Sequence, residues 1–159
     1  LTLKRFWVFL SSLDSYSFIN IFHMFKKLLS TDFNKFISLN YSIFLLRFGA
    51  GALIFTHGLP KLMKVFSGDF SFGDPIGIGP ELSLILAAFA EGICGLFVAV
   101  GLWTRFSAIV LAINMSVAFF FAHAGDPFNT KEKSLLFLLM FVVILFTGPG
   151  KFSVDNKIS

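Results

Sequence analysis

Charge is scarce in this sequence. Of 159 residues only 14% are charged, against about 25% in an ordinary soluble domain, which excludes a water-facing surface of normal composition. Cysteine is scarcer still. Cys94 stands alone, ruling out an internal disulfide, a CxxC redox pair and a CxxC zinc arrangement. Thirteen Lys and Arg against nine Asp and Glu leave a net charge of +4, too weak and too scattered for a nucleic-acid-binding stripe. The sequence contains neither CxxCH nor HxxxH, and no motif for haem, flavin, iron–sulfur or nicotinamide is recognisable, so no cofactor is evident. What is abundant is apolar: 56% of residues are hydrophobic and 24 are Phe, with a mean hydropathy of +0.83. Such a chain reads as an integral membrane protein.

A bilayer span needs about 20 mostly apolar residues. Four windows come near this: 39–59, interrupted by Arg47; 82–102, with Glu91 as its one charge; 106–124, carrying Asn114; and the shorter 134–147. The last spans if Lys131 and Lys133 snorkel. Short Gly/Pro/Asp joins separate the windows, at Ser67-Gly68-Asp69, 73–80, Gly125-Asp126-Pro127 and Gly148-Pro149-Gly150. The expected fold is an all-α membrane protein, an antiparallel four-helix transmembrane bundle over 39–155 with a tail at 156–159.

Residues 1–38 read separately, as an N-terminal extension followed by an interfacial helix. Met24-Phe25-Lys26-Lys27 resembles a true beginning, so residues 1–23 are expected to be an idle upstream extension. Leu29, Phe33, Phe36 and Ile37 fall on one helical face, as in a helix lying in the membrane interface. Eight Lys and Arg lie with the N-terminus, the 102–106 join and the C-terminus, and four on the opposite side. From Met24 onward the contrast is six against four. By the positive-inside rule both termini are cytoplasmic.

Polar residues inside the spans demand partners, because an isolated charge at mid-bilayer costs about 2.5–3.5 kcal/mol. Arg47 and Glu91 are expected to come within reach of one another across adjacent antiparallel helices. Their pairing serves either as a structural clamp or as a polar pocket for a head group or proton. Arg47, Gly51, Ile54, Gly58 and Lys61 form one stripe, and Ala88, Gly92, Gly95 and Ala99 a small-residue stripe beside Glu91. Small residues let membrane helices approach closely, so the stripes should face each other. Asn114 is placed to hydrogen-bond across the bundle, and Cys94 to pack as a small apolar residue. His57 and His123 fall at the same ends of spans one and three and could converge near one surface. Two such imidazoles suit a metal or a proton-exchanging site, but the spacing demands neither, and no metal site is expected.

Several segments together resemble the DoxX family of small four-span membrane proteins, over residues 41–155. In order they are Leu46-Arg47, His57-Gly58-Leu59-Pro60-Lys61, Gly73-Asp74-Pro75-Ile76-Gly77-Ile78-Gly79, Ala90-Glu91-Gly92, Gly101-Leu102-Trp103-Thr104-Arg105, and Asn114-Met115-Ser116-Val117-Ala118. His123 with Asp126-Pro127-Phe128, Glu132, and Gly148-Pro149-Gly150-Lys151-Phe152-Ser153-Val154-Asp155 complete the set. The resemblance implies a plasma-membrane protein of oxidoreductase type, similar to chains associated with terminal quinol oxidases and thiosulfate–quinone oxidoreduction. It also implies that Arg47, His57, Lys61, Glu91, Arg105 and His123 occupy the family's polar positions. Two function classes follow. One is a quinone-linked redox component whose electrons come through a cofactor-bearing soluble partner subunit. The other is a non-enzymatic membrane scaffold or small-molecule carrier.

Overall fold

A computed structural model of the chain describes residues 39–158, together with Asn20. The expected interfacial helix and the boundary at Met24 lie outside the described residues. The account below concerns the compact unit Asn40–Ser159. Its described residues contain helices and no strand.

Four helices and a terminal turn make up this unit. Helix α1 is Leu39–Ser67. Helix α2 is Pro80–Val100, of which Phe89–Cys94 is wound as a π-helix. Helix α3 is Thr104–Ala122, ending in a second π-helical stretch, Ala118–Ala122. Helix α4 is Phe128–Thr147, and α5 is the single turn Asp155–Ile158. Three of these, α1 to α3, are long and apolar enough to cross a membrane. Helix α4 reaches 20 residues, extending the expected window N-terminally through Lys131, Glu132 and Lys133.

The apolar window of the first span ends at Leu59, but the helix continues through Pro60 to Ser67. A proline removes one backbone donor and costs about 3 kcal/mol in a helix interior, which the surrounding turns can absorb. The helix ends instead where Gly68 adopts a left-handed φ of 73°. There the Gly68 N–H bonds the Val65 carbonyl at 3.2 Å and the Asp69 N–H bonds that of Lys64 at 3.0 Å, a Schellman closure. The two added turns shift the register in which α1 meets α2.

That contact is made through backbone. A Cβ added to Gly58 would lie 2.2 Å from the Gly92 nitrogen, and one added to Gly51 would lie 2.5 Å from the Ala99 nitrogen. The two expected stripes therefore meet, and the residues met on α2 fall in number as those on α1 rise. Ile54, Val98, Leu111 and Phe141, one from each long helix, are almost fully buried in the shared core. Phe48, Leu53, Phe106, Phe121 and Phe146 point outward and stay exposed. In lipid such side chains lose nothing by exposure, so close packing of small residues, not hydrophobic burial, must hold the helices together.

Candidate functional site

Glu91 is the residue around which a site can be built. It lies in the π-helical part of α2 and is 6% exposed. π-Turns interrupt α-helices mostly at functional positions. A buried carboxylate needs both a countercharge and hydrogen bonds, and Glu91 has both. The Lys61 ammonium from α1 donates to Oε2 in a short ion pair. The Asn114 amide from α3 donates to Oε1 at 3.0 Å. Lys61 also reaches the His57 carbonyl at 3.3 Å. Three helices thus place one polar side chain each around a single carboxylate.

Two cavities flank it. The larger, about 450 Å³, lies between α2, α3 and the 68–79 loop, and its walls include Phe72, Ile76, Ile78, Leu86, Val110 and Ile113. Apart from Ser83, Glu91 and Asn114 its lining is apolar or glycine. The smaller, about 200 Å³, is the more polar of the two, with His57, Lys61, Glu91, His123, Thr130, Lys133 and Ser134 in its walls beside Ile54, Met115 and Phe137. Glu91 and Ala118 line both. The two histidines therefore border one chamber. His57 packs edge-on against Phe137, ring centres 6.2 Å apart, and His123 Nδ1 lies 2.7 Å from Asp126 Oδ2. Among the described residues no cluster of three or more His, Cys, Asp and Glu could hold a metal ion.

The loop roofing the apolar chamber is organised by Asp74. Its carboxylate accepts the Ile78 and Gly79 amides, both at 2.9 Å, and the Ser83 hydroxyl at 3.1 Å. The Gly79 amide, which outweighs the opposing effect of desolvation, holds this carboxyl below the usual carboxylate range, with lesser help from the Ser83, Ile78 and Gly77 donors. The sequence marks this stretch as a turn and as one of the family-like segments, without showing what it covers. Asp74 with Ser83 nine positions on was the available signal, but an Asx-type loop does not announce what it covers.

Arg47 stands apart from this group. The expected Arg47–Glu91 pair does not form, since each side chain has other partners. Arg47 is fully buried, and its Nη1 donates to the Val98 and Ala99 carbonyls at 2.6 and 2.7 Å while Nη2 donates to Phe152 at 2.7 Å. Val98 and Ala99 belong to the last turn of α2, where carbonyls lack intrahelical donors and carry the negative end of the helix dipole. Arg47 therefore caps α2 from a neighbouring helix. Glu91 instead lies opposite Gly58, eleven residues along α1 from Arg47, or about 16 Å at 1.5 Å per residue. The register in which Gly58 meets Glu91 is what separates the two charges.

The same corner holds a complementary cap. Asp155 accepts the Trp103 and Thr104 amides at 2.7 and 2.9 Å, covering the start of α3, while its own N–H bonds the Gly101 carbonyl at 2.8 Å. Burial opposes ionisation of Asp155, but the Thr104 and Trp103 donors and the charge of Arg47 outweigh it and hold the carboxyl below the usual range. Trp103 sits in the left-handed region at φ 44°, a strain that the Asp155 bond helps to retain. Gly101, at φ 79°, leaves no room for a Cβ, which would meet Arg47 at 2.6 Å. Arg105 lies beside Gly148 at the same end. Of the six candidate residues, His57, Lys61, Glu91, Asn114 and His123 gather around the two chambers. Arg47 belongs to the corner clamp.

Comparison with known proteins gives the following. The family model described as DoxX matches residues 42–124. A Haemophilus influenzae protein described as uncharacterized is 30% identical over 128 residues, 74% of this chain and 90% of its own length. A second from the same organism is 28% identical over 74% of this chain and 83% of its own. A Bacillus subtilis protein named "Putative oxidoreductase CatD" is 30% identical over 70% of this chain and 82% of its own. No solved structure matches significantly.

Proposed function

This chain belongs to the DoxX family of membrane proteins, and we propose that it is a quinone-linked component of a plasma-membrane oxidoreductase. In this reading α1 to α4 form an antiparallel four-helix bundle in the bilayer with both termini cytoplasmic. A soluble partner subunit delivers or removes the electrons.

One observation carries the reading: a buried, hydrogen-bonded carboxylate at the edge of an apolar chamber of about 450 Å³. Ligand sites of this kind are mostly apolar clefts with a few convergent polar groups. A quinone asks for that combination, with donors for its carbonyl oxygens, a titratable group nearby and apolar space for ring and tail. Asn114 spends one amide hydrogen on Glu91 and keeps the second, with its carbonyl oxygen, for a ligand. The oxidoreductase name of the Bacillus relative points the same way.

The test is binding of a decyl-chain ubiquinone analogue to the full chain in mild detergent. Asn114→Leu and Glu91→Gln should weaken it about tenfold or more, since a buried polar contact is worth about 1–3 kcal/mol when one partner is lost. A substitution at exposed Leu45 should leave it unchanged. If the unsubstituted chain binds no quinone and copurifies with none, the scaffold or carrier reading replaces this one.

A further inference from the structure

The two oxygens of Glu91 serve different chambers. Oε2 is held by Lys61, which lines the polar chamber, and Oε1 by Asn114, which lines the apolar one. Exposure rises steadily away from the carboxylate along the polar side. The Glu91 side chain is 8% exposed, that of Lys61 22%, that of His123 38%, and that of Asp126, which contacts His123, 45%. Every element around the polar chamber contributes a group that can carry a proton. His57 and Lys61 come from α1, His123 from the end of α3, held by Asp126, and Lys133 from α4.

We propose that the polar chamber is a proton half-channel linking Glu91 to the membrane face that carries Lys61 and Lys133, and that Glu91 passes protons to a ligand oxygen in the apolar chamber. The chemistry is proton transfer alone. A proton entering from that face is taken by the carboxylate and leaves it for the ligand oxygen, or travels in reverse. Only O–H and N–H bonds form and break, and no electron moves within this chain. The route is one-sided because the opposite end is closed by the corner clamp. There Arg47, the Val98 and Ala99 carbonyls and Phe152 are joined by direct hydrogen bonds. The proposal rests on the quinone reading for the identity of the acceptor but not for the route to Glu91.

The full chain, reconstituted in vesicles with one orientation, tests it. The infrared carboxyl band of Glu91, assigned by its loss in Glu91→Gln, is followed while the pH is changed on one side of the membrane at a time. The expected result is a response to pH on the Lys61 and Lys133 face and none to pH on the Arg47 and Asp155 face. Ser134→Leu, which adds bulk to the wall of the polar chamber, should slow that response about a hundredfold, the scale on which a positioned proton relay matters. A response from the opposite face, from both faces equally, or from neither overturns the proposal, as does an unslowed response in Ser134→Leu if that variant folds. Quinone binding without a one-sided response would remove the half-channel and leave the quinone reading. A one-sided response without quinone binding would do the reverse.

Discussion

Gly58→Ala should separate the two helices that build the site, and its cost can be worked from the contact it breaks. The added Cβ would lie 2.2 Å from the Gly92 nitrogen and 2.3 Å from the Glu91 carbonyl carbon. Ordinary van der Waals contact begins at 3.4 Å, so α1 and α2 must part by about 1.2 Å at this level. Both obstructing atoms are backbone, and neither can swing aside as a flexible side chain would. Overpacking of this kind costs about 1–3 kcal/mol, offset by at most about 1 kcal/mol from the better helix propensity of alanine. A net loss of up to about 2 kcal/mol is expected, about 1–3 kcal/mol below the Gly49→Ala control, together with a weakened Lys61–Glu91 pair. Gly49→Ala supplies the internal control, because nothing lies within 4 Å of a Cβ there. It keeps the propensity gain alone and should be neutral or stabilising. Thermal unfolding of both variants in the same detergent reads the difference. A Gly58→Ala protein as stable as Gly49→Ala would refute the reasoning that close backbone contact at this glycine sets the helix separation.

Two further outcomes concern charge. Arg47→Gln and Glu91→Gln share no hydrogen-bond partner and should add in a double variant to within about 0.5 kcal/mol; Lys61→Met with Glu91→Gln should couple clearly in the same unfolding assay. Asp155→Asn should cost about 1 kcal/mol at neutral pH, because an amide keeps only one oxygen for the two N–H groups at the start of α3. Because the folded-state value of Asp155 is depressed, its stabilisation is complete above the unfolded carboxylate range and is lost as pH falls through the folded value. The stability gap between wild type and Asp155→Asn should therefore shrink towards acid, and a gap that widens would contradict the assignment.

Much of the site's composition was legible in the chain. Lys61 was marked by its place on the α1 stripe and by the family resemblance; Glu91, Asn114, His57 and His123 are polar groups in or at the ends of apolar spans, and that placement marks them. Arg47 was marked by the same argument and given the wrong partner. The cost of a buried charge says that a partner must exist, whereas which partner depends on register. Register turned on where α1 stops, and the apolar window ending at Leu59 understated a helix that closes at Gly68 with its Schellman bonds. Lys133, Ser134 and the roofing residues Phe72 and Ile76 carried no such mark, because neither an exposed lysine nor an apolar loop residue is anomalous by itself.

By itself the sequence determined that the chain is a helical membrane protein and which small-residue faces pack. Hydropathy over some 20 residues and the spacing of Gly and Ala are local properties that no tertiary contact can reverse. Only the tertiary structure decided that Arg47 caps the end of α2, that Lys61 and Asn114 divide the two oxygens of Glu91, and that an apolar and a polar chamber meet at that carboxylate. Each of those depends on the relative sliding of helices. A slide of one turn, about 5.4 Å, leaves every local pattern unchanged and exchanges every polar partner.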